Sequence, residues 1–141
     1  MSLPLIAALL FTVALLVTTA YFILGSVPLL ILQHDTPKDS RFVRGFFNTY
    51  YLAAVFAASG AAVSFAFARR PLIATGAGML VVVALVLRWK ITAKMDELGT
   101  RIQSGATDAI AGFRRAHVSA ILINLAQLVL ILWSLTVFTT Q

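Results

Sequence analysis

Polar side chains recur at helical spacing in a chain otherwise dominated by apolar runs. His117 and Asn124 are seven positions apart, so at about 100° per residue they fall within about 20° of each other on a helix. Gln127 lies further round on one flank and Arg114 on the other. A second segment places Asn48 and Tyr51 four and seven residues after Arg44, and a third sets Ala77, Val81, Ala84 and Arg88 in one row. An imidazole exchanges protons near neutral pH. His117 is therefore the candidate catalytic residue, with Arg44, Asn48, Tyr51, Arg88 and Asn124 as candidate substrate-binding residues.

Other chemistries are excluded or weakened. The chain has no cysteine, which removes thiolate nucleophiles, disulfides, iron–sulfur clusters and cysteine-based zinc sites. His34, Asp35 and His117 make a minimal set of metal ligands, but no HxxH or HExxH spacing is present. Axial haem ligation by His34 and His117 would need the two rings to face each other at matching depth. No metal and no cofactor is expected. Eleven Lys and Arg against five Asp and Glu give a formal charge of +6, yet the basic residues sit in small groups flanking apolar runs. Membrane topology and anionic lipid headgroups account for that layout, and no nucleic-acid partner is expected.

The elements that must position these residues follow from composition. Of the 141 residues, 60% are hydrophobic and 11% charged, against about 45–50% and about 25% in a soluble domain, so lipid is the solvent for most of the chain. The expected fold is all-α, an integral membrane four-helix antiparallel bundle forming one transmembrane domain. Its spans cover about 3–32, 42–68, 72–89 and 115–138. The uncharged first run lacks a basic n-region and is too long for a signal h-region, so it is retained as a span. Gly25 and Pro28 predict a kink around Leu24 to Pro28. Ser40 or Asp39 is the expected N-cap of span two, and Arg69-Arg70-Pro71 makes a tight break before span three. Ile91, Met95, Leu98 and Ile102 predict a short amphipathic helix at the membrane surface between spans three and four, with Glu97 and Arg101 placed to pair along it.

Interior faces follow from the same wheel. Span two presents Arg44, Asn48, Tyr51, Val55, Ser59 and Ala62, and span one presents Thr18, Tyr21 and Gly25. Ala53, Ala57 and Ala61, with Gly76 and Gly78, permit close helix approach. For Asn48 and Asn124 a purely interhelical hydrogen bond is the competing reading, while Tyr50, Trp89 and Trp133 read as interfacial belt residues. Lys38, Arg41, Arg44, Arg88, Lys90, Lys94, Arg101, Arg114 and Arg115 fall on one side and Arg69 and Arg70 on the other. The positive-inside rule then puts both termini away from the cytoplasm.

The four-span layout, with Phe46-Phe47-Asn48-Thr49-Tyr50-Tyr51 opening span two, a basic end to span three, and Phe113-Arg114-Arg115-Ala116-His117 leading into a span with Asn124, resembles the anthrone oxygenase-like family and its small bacterial membrane relatives. That resemblance covers nearly the whole chain. It implies a bacterial inner-membrane protein that oxidises a polycyclic aromatic anthrone to a quinone without metal or flavin. His117 would take a proton from the substrate, and Arg44, Arg88 or Asn124 would hold the resulting enolate oxygen. The expected partners are membrane lipid and an apolar aromatic or quinone-like molecule. The alternative is a non-catalytic accessory subunit, or a self-associating bundle in a homo-oligomer or larger membrane complex.

Overall fold

The computed structural model describes residues 2–139. Among them are four helices, α1 (Leu3–Leu29), α2 (Pro37–Phe67), α3 (Pro71–Gln103) and α4 (Asp108–Thr139), and no strand. Each is long and apolar enough to cross a membrane. The chain is an integral membrane four-helix bundle. α2 packs on α1 and α3, and α4 closes the ring against α3 and α1.

Proline sets the helix starts. Pro4, Pro37 and Pro71 each occupy the first turn of a helix, where the missing N–H has no intrahelical partner to lose. Thr36, rather than Ser40 or Asp39, caps α2: its hydroxyl accepts from the Asp39 backbone N–H at 3.2 Å. The cap thus stands immediately before the proline, and Ser40 is already inside the helix. Pro28 falls in the last turn of α1, which stops at Leu29.

Length explains the rest of the layout. α1 has 27 residues, about 40 Å, and α3 has 33, about 50 Å, against a hydrocarbon core of about 30 Å. α3 therefore extends beyond the lipid, and no break separates residues 90–103 from span three. The expected amphipathic segment is this extension. Its Met95, Leu98 and Ile102 are buried in the protein core instead of facing a membrane surface. α4 correspondingly begins at Asp108, where Arg101 of α3 pairs with Asp108. Glu97 pairs with Lys94 at 2.9 Å, not with Arg101.

Because lipid supplies no hydrophobic drive between helices, contact and small residues must hold the bundle. Ala54, Ala57, Ala58, Ala61, Ala77, Ala84 and Ala120 are buried, while the exposed faces carry Leu, Val, Ile and Trp. The closest glycine contacts differ from expectation. A Cβ on Gly76 or Gly78 would meet nothing within 4 Å, whereas one on Gly60 would lie 2.5 Å from the Phe11 ring and one on Gly25 2.8 Å from Phe46. The interior stripe of α1 is Ala8, Thr12, Leu15, Thr19, Phe22 and Ser26. Tyr21, expected inside, is 70% exposed: the hydroxyls of Thr12 and Thr19 return to Ala8 and Leu15 carbonyls at 2.8 Å, so these threonines enter the core without needing an external partner.

Candidate functional site

A helix leaves its last carbonyls without intrahelical donors. At the end of α1 the Leu30 N–H turns back to the Val27 carbonyl, and the Ser26 carbonyl is met by Nε2 of His117 at 3.1 Å. Nδ1 of His117 lies 3.3 Å from Nε2 of His34. Both rings are fully buried. Phe47 presents its edge geometry to His117 with ring centroids 5.1 Å apart, and Phe113 lies 5.4 Å from His34.

The carbonyl fixes the protons. A carbonyl only accepts, so Nε2 of His117 carries the hydrogen; in the uncharged pair its Nδ1 must then accept, and Nε2 of His34 donates. Nδ1 of His34 is left as a bare lone pair, buried and with no hydrogen-bond partner among the described residues. His34 also sits at φ 58, in the left-handed region that histidine, like asparagine and aspartate, enters more often than other non-glycine residues. Burial first, and then the Arg114 guanidinium, hold the His34 imidazole below its ordinary pKa of 6.5, against the weaker pull of Asp39 and Asp35. Both causes favour the uncharged form of the ring.

Two turns along α4, Asn124 is fully buried and saturated. Its Oδ1 accepts from the Tyr50 hydroxyl at 2.6 Å, and its Nδ2 donates to the Ala120 carbonyl at 2.8 Å and to the Tyr51 hydroxyl at 3.4 Å. Phe22 stacks on Tyr50 with centroids 4.0 Å apart, and its edge contact with Phe47 joins this cluster to the imidazoles. The polar stripe of α4 thus meets two centres separated by aromatic rings.

The remaining candidates lie toward α3. Arg88 Nε donates to Asn48 Oδ1 at 3.0 Å. Arg44 pairs with Asp96 at 2.9 Å near the surface, while its Nε is buried without a partner. The fold therefore gathers Tyr51 with Asn124, and Asn48 with Arg88, as separate pairs. His117 meets His34 rather than any of them.

Two cavities flank α2. One, of about 490 Å³, lies between α1 and α2 and is lined chiefly by aromatic rings, including Phe22 and Tyr50. The other, of about 330 Å³, lies between α2 and α3 and includes Arg44 and Asp96. Neither is lined by His117 or Asn124.

Two residues escaped the reading by helical faces. His34 follows α1 in a loop, where no periodicity announces its direction. Tyr50 neighbours Tyr51 at about 100°, and both are buried because α2 is flanked on both sides by helices; its position at an apparent membrane edge argued for the belt instead. Comparison with known protein families, with curated proteins and with solved structures finds no match.

Proposed function

We propose that the chain is a bacterial inner-membrane protein, both termini away from the cytoplasm, that takes an apolar aromatic or quinone-like molecule from the bilayer and exchanges a proton with it through the His34–His117 pair. The observation that carries this reading is the bare, buried Nδ1 of His34, fixed as an acceptor by the relay that ends on the Ser26 carbonyl. A proton taken at Nδ1 leaves both imidazole hydrogen bonds in place. The aromatic cleft between α1 and α2 supports a flat apolar ligand, and Phe22 of its lining contacts Phe47, which in turn contacts His117. The nine-to-two distribution of Lys and Arg supports the orientation.

The resemblance to anthrone oxygenase-like proteins suggests the reaction. An anthrone methylene loses a proton to the base, and the carbanion reduces dioxygen. One oxygen atom becomes the new quinone carbonyl and the other leaves as water, so one anthrone and one dioxygen give one quinone and one water. The test is dioxygen uptake by the purified protein with an anthrone, expected at one dioxygen per anthrone and lost in His34→Asn. Uptake unchanged by His34→Asn would contradict the assignment.

The non-catalytic reading has its own support in the Tyr50–Asn124–Tyr51 cluster, whose hydrogen bonds join α2 to α4, with Asn124 and Tyr51 outside the lining of either cavity. Under that reading a partner chain co-purifies in mild detergent; under ours an aromatic molecule does.

A further inference from the structure

The two cavities share one residue, Arg41. On its apolar side the cleft of about 490 Å³ is walled by Tyr21, Phe22, Phe42, Phe46 and Tyr50. Five rings lining one cleft suit a flat aromatic body better than a flexible acyl chain. The about 330 Å³ cavity on its other side is polar in character, with Arg44, Asp96 and Gln103 among its walls.

One accessible donor there stands ready for an anion, with a second guanidinium beside it. Arg41 makes no ion pair or hydrogen bond among the described residues. Arg44 spends one guanidinium nitrogen on Asp96 at 2.9 Å, but its Nε is buried and unpartnered. A buried guanidinium N–H without an acceptor is costly to leave unmade. Asp96 does not cancel the field: Arg41, Arg44 and Asp96 together leave one net positive charge. Ser40 and Thr100 direct their hydroxyls to the Pro37 and Asp96 carbonyls, so the guanidinium groups are the main source of attraction.

We infer that the molecule taken up by the α1/α2 cleft is an aromatic acid, its rings among the cleft aromatics and its carboxylate against the Arg41 guanidinium, with Arg44 adding charge beside it. This rests on the reading of the cleft given above and adds the charge of the ligand. A carboxylate accepts two N–H bonds at once, and such charge-assisted bonds separate an acid from its neutral ester.

The test uses the full chain in phosphatidylcholine nanodiscs and follows the fluorescence of 9-anthracenecarboxylic acid and of its methyl ester. Ala53→Trp, at an exposed lining position of the cleft, fills the cleft and supplies the reference for partition into lipid. The acid is expected to bind about tenfold or more tightly than the ester. Arg41→Gln removes that preference, bringing the affinity for the acid down to that for the ester, while Arg41→Lys keeps part of it. Equal binding of acid and ester, indifferent to Arg41→Gln but lost in Ala53→Trp, overturns the acidic ligand and leaves the cleft reading standing. Failure of both probes to bind above the Ala53→Trp reference overturns the cleft reading as well. Displacement of the acid by phosphatidylglycerol at equal concentration assigns the groove to a phospholipid and overturns the inference.

Discussion

His117 of α4 and His34 of the loop after α1 meet nitrogen to nitrogen at 3.3 Å, with ring planes nearly perpendicular at 89°. The far nitrogen of His117 ends on a helix-terminal carbonyl. That single acceptor orders the protons of both rings, and it places the free lone pair on the loop histidine rather than on the helical one. A carbonyl at the end of α1 therefore decides which imidazole is the base.

Acidification should destabilise the protein. The His34 pKa is lowered in the fold from 6.5, so above pH 6.5 both folded and unfolded forms are uncharged and its contribution is complete. As pH falls through 6.5 the unfolded chain binds the proton first, and stability declines until the lower folded value is passed. Melting in detergent between pH 8 and pH 5 should show this decline, and His34→Asn should flatten it. Asparagine tolerates the left-handed backbone at this position. A melting temperature that rises on acidification would contradict the account.

Asn124→Leu removes the acceptor of Tyr50 and a donor to Tyr51, both buried in an apolar bundle. A cost of about 1–3 kcal/mol is expected from the unpaired hydroxyls. Adding Tyr50→Phe to Asn124→Leu should recover part of it, because the stranded hydroxyl then disappears. Denaturation of the two variants in detergent measures the difference. Purely additive losses would show that the cluster is not coupled.

Gly60→Leu should destabilise by about 1–3 kcal/mol, since its Cβ meets the Phe11 ring at 2.5 Å where α1 and α2 approach. Gly76→Leu, with nothing within 4 Å of its Cβ, should be nearly neutral. Equal effects would place the α1/α2 contact elsewhere.

The bundle was legible because lipid demands long apolar runs, whereas the helix ends were not, since charge marks the edge of the lipid and α3 runs on through Arg88 and Lys90 to Gln103. The stripe of α4 was legible for the same reason: His117 and Asn124 are costly to face toward hydrocarbon, and both are buried. Their partners were not. Tyr21 and Tyr50 have the same side chain near the same membrane edge, yet one is 70% exposed and the other 6%. What separates them is the crowding around each helix, which a wheel drawn on one segment does not contain. His34 depends on a loop conformation at φ 58, and Arg44 turned to Asp96 across α3, a pairing fixed only once the length of α3 carries Asp96 back alongside the start of α2.

The central claim is tested most directly by ¹⁵N NMR of histidine-labelled protein in nanodiscs at pH 7.5. Both rings should carry their hydrogen on Nε2, with His34 Nδ1 unprotonated and shifting when an anthrone is added. A hydrogen on Nδ1 of either ring, or a doubly protonated His34 at that pH, would contradict the account.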